Sequence, residues 1–164
     1  MTKPSLNIVA EPATQEIVMT CVFDAPRELV FQAYTDPNAI PKWWGPKRMT
    51  TTVERMEVRP GGIWRFVQRE PDGRSYAFFG VYHAIVPPER IVQTFEFEGA
   101  SGHVSLETAM LEDVGGKTKL TASSVFQSVE DRDSMLQAGM EDGARETMER
   151  FADLLQEAVK GTPR

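Results

Sequence analysis

Residues 131–159, DRDSMLQAGMEDGARETMERFADLLQEAV, decide how the rest of the chain is read. The stretch holds no proline, and apolar residues recur at Leu136, Met140, Ala144, Met148, Phe151 and Leu155. Steps of three and four gather them on one stripe of a helix. The spacing therefore predicts a single long C-terminal helix over 131–159, stopped by Gly161-Thr162-Pro163. Gly139 and Gly143 break the pattern, each at about 1 kcal/mol relative to alanine. Four residues apart, they share a face. They either let a sheet approach closely or leave space beneath the helix.

Upstream, the period changes from helical to twofold. Residues 50–126 read as antiparallel strands separated by turn chemistry: Pro60-Gly61-Gly62, Glu70-Pro71-Asp72-Gly73, Pro87-Pro88-Glu89 and Gly115-Gly116. In the long strand at 75–86, Phe78, Gly80 and Tyr82 share one face, while Phe79, Val81, His83 and Ile85 share the other. Ile91, Gln93, Phe95 and Phe97 alternate in the next strand, as do Val104, Leu106, Thr108 and Met110 in the one after it. Residues 16–23 form a first strand, and Asp24-Ala25-Pro26 opens a short helix through Leu29, Val30, Ala33 and Tyr34. A second helical turn covers 38–43. Residues 1–14, with Pro4 and Pro12 and no periodicity, read as a flexible tail before a single domain at 15–160.

The order is strand, two short helices, six strands, long helix: the α+β class, with about six to seven strands. A sheet of that width covers one long helix only by curling around it, which leaves a cavity at the open end near the short helices.

Composition narrows the function. Lys+Arg 18 against Asp+Glu 24 gives a net charge of -6, so nothing marks the chain as a nucleic-acid binder. No stretch approaches the roughly 20 apolar residues of a membrane span, and the first residues lack a signal-peptide pattern. With one cysteine, Cys21, an internal disulfide is impossible. A cytoplasmic protein, monomeric or homodimeric, is expected.

A set of motifs carries a family resemblance: Phe23-Asp24-Ala25-Pro26-Arg27-Glu28-Leu29-Val30-Phe31, Lys42-Trp43-Trp44-Gly45-Pro46, Arg59-Pro60-Gly61-Gly62-Ile63-Trp64, Gly80-Val81-Tyr82, Pro87-Pro88-Glu89-Arg90-Ile91-Val92, and Gly139 to Gly143 at the helix. In this order, over about residues 15–157, the chain resembles bacterial homologues of the C-terminal domain of the heat-shock protein 90 ATPase activator. Those belong to the START-like, birch-pollen-allergen-like superfamily. The resemblance implies the helix-grip fold, with a curved sheet around a long C-terminal helix. It also brings three functions into view: a carrier of a hydrophobic ligand, a chaperone-associated stress regulator, and a polyketide aromatase/cyclase-like enzyme.

Catalytic motifs do not stand out. His83 and His103 lie on different strands, and Cys21 has no CxxC partner, so neither a metal nor another cofactor is expected. Glu57 and Arg59 share a strand face and read as an ion pair or turn contact, with a grip on an acidic ligand as the other reading. Glu107 and Glu112 read as solvated. The aromatics are the informative set. Trp43, Trp44, Trp64, Phe66, Phe78, Tyr82 and Phe95, with Met110, Met140 and Gly143, are the expected contacts of a small apolar ligand held under the helix. Gln68, Gln93, Thr108 and Tyr82 are its candidate polar groups. Of the three functions, the non-enzymatic ligand binder fits this set best. Tyr82 and His83 are the acid–base candidates for an enzyme.

Overall fold

The computed structural model describes residues 4–161. The chain runs through β1 (Leu6–Val9), β2 (Glu16–Phe23), α1 (Arg27–Thr35), α2 (Ile40–Trp43), β3 (Thr50–Met56), β4 (Ile63–Arg69), β5 (Ser75–Val86) and β6 (Arg90–Phe97). A short 3-10 turn follows, then β7 (Val104–Val114), β8 (Lys117–Val125), α3 (Val129–Gln137) and α4 (Met140–Gly161). All eight strands form one curved antiparallel sheet in the order β1-β2-β8-β7-β6-β5-β4-β3. From β3 to β8 each strand pairs with the next, as tight turns dictate. The exception is β2, which lies beside β8. Helices α1 and α2 therefore carry the chain from β2 to the far edge of the sheet at β3.

Three expectations are corrected. The tail is not loose throughout: Leu6–Val9 pairs with β2, Leu6 opposite Cys21 and Val9 opposite Val18, which raises the strand count to eight. Its signal was only a four-residue alternation, with Leu6 and Ile8 half-buried and Asn7 and Val9 exposed. The segment 1–3 of that tail lies outside the described residues. The C-terminal helix is also two helices. Gly139 takes φ +85°, a left-handed conformation that ends α3 at little cost for glycine, and its N–H donates to Leu136 O. Helix α3 starts two residues earlier than predicted, because Ser128 caps it by accepting from Asp131 N at 3.0 Å. At the other end α4 reaches Gly161; Thr162 and Pro163 lie outside the described residues.

The grip itself is aromatic. Phe151 of α4 is fully buried, with ring centroids 5.1 Å from Phe23, 5.2 Å from Tyr34 and 4.1 Å from Trp43. Trp43 Nε1 donates to Ala33 O at 3.1 Å, fixing α2 against α1. Arg150 then ties α4 to α2 and the residues just after it, donating to Gly45 O at 2.7 Å and to Lys42 O at 3.0 Å. Each large side chain fully buried here contributes about 1.5–3 kcal/mol.

Candidate functional site

The other end of α4 stands over a cavity of about 340 Å³. Met140, Ala144, Thr147 and Met148 of α4 form its roof. Trp43 and Trp44 close one side, and Trp64, Phe66, Tyr82 and Phe95 line the sheet. Alternation along β4 turns Trp64, Phe66 and Gln68 inward, all three buried. Trp64 sits opposite Gly80 of β5, and its Nε1 reaches across that strand to donate to Thr94 O at 3.1 Å. A Cβ at Gly80 would lie 2.7 Å from that Nε1 and 1.9 Å from Thr94 O, so only glycine leaves room for the crossing. Trp44 meets Trp64, Phe66 and Phe78 edge-on at 6.4, 5.1 and 5.4 Å.

Seven expected contacts thus border the cavity: Trp43, Trp44, Trp64, Phe66, Tyr82, Phe95 and Met140. Three do not. Phe78 lines an adjoining cavity of about 430 Å³ under α3, which shares Phe95 with the first. Gly143 points into open space, one position off the α4 stripe that faces the sheet. Met110 is 37% exposed on the outer face of β7.

The error at Met110 is one of parity. Val104, Leu106 and Met110 made that face of β7 look like the inner one. The inner face is Ser105, Glu107, Ala109 and Leu111, of which Ser105 and Leu111 are buried. A shift of one residue exchanges every side chain between faces, and here it carries Glu107 out of solvent into the cavity wall. Sequence reasoning missed this residue.

Register shows what Glu107 joins. Tyr82 is opposite Gln93, Gln93 opposite Glu107, and Glu107 opposite Ser124. These four inward residues make a polar row across four strands, and all four border the cavity. Burial pushes the Glu107 carboxyl up to about 7, against hydrogen bonds with Ser124 and Ser105 that favour its charged form. Burial likewise raises the Tyr82 hydroxyl, and it raises Cys21 up to about 11. Gln68 borders the cavity too; Thr108 lies along it but has the outer parity of Leu106 and Met110, so it is not one of the inward polar groups.

The other polar candidates lie elsewhere. His83 is exposed. His103 Nδ1 sits 2.9 Å from Asp131 Oδ1, where both border the adjoining cavity. Glu57 bonds Ile63 N at 3.1 Å and Arg55 at 3.2 Å, with Arg59 at 3.8 Å, so this cluster braces a turn. Among the described residues, no group of three or more His, Cys, Asp or Glu is placed to hold a metal ion, and no helix is long and apolar enough to cross a membrane.

A family model described as Activator of Hsp90 ATPase homolog 1-like protein matches residues 24–156. No curated protein matches the chain. Among solved structures, a Mycobacterium smegmatis protein is 25% identical with a TM-score of 0.84, over 98% of this chain and 100% of its own. An Arthrobacter aurescens protein is 27% identical with a TM-score of 0.85, over 92% of this chain and 91% of its own. One from Rhodobacter sphaeroides is 25% identical with a TM-score of 0.86, over 93% of this chain and 99% of its own.

Proposed function

This chain belongs to the family of Activator of Hsp90 ATPase homolog 1-like proteins, and from that premise we propose that it binds a small hydrophobic ligand, without chemistry, in the cavity beneath α4. The observation that carries this reading is the cavity itself. Its volume of about 340 Å³ lies within the usual range of roughly 300–1,000 Å³ for small-molecule sites, and aliphatic and aromatic side chains dominate its walls with a few polar groups among them. Met140 and Met148 in the roof can repack around ligands of different shape. Lipids, sterols and polyphenol-like compounds are the classes to try. Titration with such a panel, read by amide chemical shifts, is expected to perturb Trp44, Phe66, Tyr82 and Ala144. Shifts confined to the outer face of the sheet, or none, would sink the reading.

A second reading, an aromatase/cyclase-like enzyme, is favoured by one observation, the buried carboxyl of Glu107 poised near neutrality. A general base in an apolar site would accelerate the ring-opening elimination of 5-nitrobenzisoxazole, in which the base takes the C3 proton as the N–O bond breaks. Turnover by the wild type that is lost in Glu107→Gln would support this reading. Equal rates in both proteins would remove it. The chaperone-linked reading has the family's description behind it and no feature of the cavity.

A further inference from the structure

Two buried polar atoms in the cavity wall have no hydrogen-bond partner: Glu107 Oε2 and Gln68 Nε2. Gln68 is 5% exposed, and its amide occupies the space above Gly45, where a Cβ would come within 1.5 Å of Nε2. Polar atoms cut off from water are costly unless paired. Two of them in one apolar cavity mark where a ligand's own polar atoms belong. The wall holds no lysine, arginine or histidine, so an anionic head group would meet Glu107 without a compensating cation.

Resting on the hydrophobic-ligand reading, we propose that the cavity selects neutral, mainly apolar molecules bearing a carbonyl-type oxygen, which accepts a hydrogen bond from the Glu107 carboxyl, with the Gln68 amide left to a second acceptor elsewhere on the ligand. Both protein groups act as donors, so the ligand supplies acceptors. The polar row holds Glu107 in place between Gln93 and Ser124, its cross-strand neighbours.

Ligand affinity is then linked to protonation of Glu107. The titratable groups that border the cavity with it are Tyr34 of α1 and Tyr82 of β5, and Cys21 of β2 interacts with Tyr34. Tyr34 also interacts with Glu107. Burial raises all three, so they stay neutral through the range in which Glu107 titrates. Gln93, Ser124 and the α4 roof carry no charge. His103 and Asp131 border the adjoining cavity, beyond Ser105.

The test is competition against the neutral fluorophore N-phenyl-1-naphthylamine with four compounds of nearly one shape: 2-acetylnaphthalene, 2-isopropylnaphthalene, 2-naphthoate and 1-(2-naphthyl)ethylamine. Wild type near pH 6 is expected to bind the ketone about tenfold tighter than the hydrocarbon, the worth of one satisfied hydrogen bond. Ketone affinity should fall as pH rises from about 5.5 to about 8.5, as Glu107 gives up the proton it donates. Glu107→Leu should bring the ketone and the hydrocarbon to equal affinity. Glu107→Gln, which keeps a donor and cannot ionise, should retain the preference with a flat pH profile. Equal binding of ketone and hydrocarbon, or tightest binding of the naphthoate or the amine, overturns this inference and leaves the hydrophobic-ligand reading standing. A pH dependence that survives in Glu107→Gln also overturns it, by assigning the titration to another group. Failure of the fluorophore and all four compounds to bind overturns both.

Discussion

The two ends of α4 bury side chains in opposite styles. Around Phe151, three aromatic rings stand with centroids 4.1 to 5.2 Å from its own, and two polar side chains that enter find partners: Trp43 Nε1 on Ala33 O, Arg150 on Gly45 O and Lys42 O. Around Glu107 a cavity remains, and Glu107 Oε2 and Gln68 Nε2 in its wall are buried without partners. Burial with satisfied hydrogen bonds holds a fold together. Burial with unsatisfied ones weakens it, and such groups concentrate where a protein meets something else. One helix serves both ends: Phe151 and Leu155 anchor it, while Met140, Ala144 and Met148 roof the cavity.

The contrast can be broken most forcefully at the closed end. Phe151→Ala should cost about 3–5 kcal/mol in denaturant unfolding, because the rings around it cannot collapse into the space. At the open end Glu107 gives the opposite sign. Its carboxyl titrates at about 7 in the folded protein against an ordinary 4.5. Between those values the folded chain keeps a proton that the unfolded chain has released, so stability falls as pH rises through that window. Glu107→Gln should therefore stabilise the protein by about 3 kcal/mol above pH ~7.5, with the gain vanishing near pH ~4. Ala144→Leu, which grows from the roof into the cavity, is expected to leave stability equal or higher by about 1 kcal/mol while weakening fluorophore uptake at least about tenfold. Gly143→Ala is the control: a Cβ there meets open space. It should add somewhat under 1 kcal/mol in thermal unfolding through helix propensity, with binding unchanged.

Legibility in the sequence follows the same division. The α+β order, the grip and the inward faces of β4, β5 and β6 could be read directly, since in β4 and β6 the aromatic residues occupy one parity, and in β5 all of them but Phe79 do. The stripe Met148, Phe151, Leu155 declared the helix in the same way. Strand β7 hid its inner face because both parities carry apolar residues, Leu106 and Met110 outside against Ala109 and Leu111 inside. A glutamate in the inner set pushed the reading outward, on the sound general ground that carboxylates prefer water. Only cross-strand register, with Gln93 and Ser124 flanking Glu107, exposes the polar row. The break at Gly139 was hidden because the apolar stripe resumes at Met140 with its spacing kept. The polar part of the site was thus the least legible, because an ordinary rule of burial is suspended there.

The crossing of Trp64 over Gly80 carries a consequence for descent. Gly80 is held by the main chain, since a Cβ would strike Thr94 O at 1.9 Å whatever residue stands at 64. Trp64 depends in turn on the bare strand that Gly80 leaves. The dependence runs one way. A lineage can lose the tryptophan and keep the glycine, but once the glycine is replaced the tryptophan has nowhere to lie. Among descendants of this chain, glycine without tryptophan at this pair is a viable state, and tryptophan without glycine is a dead end.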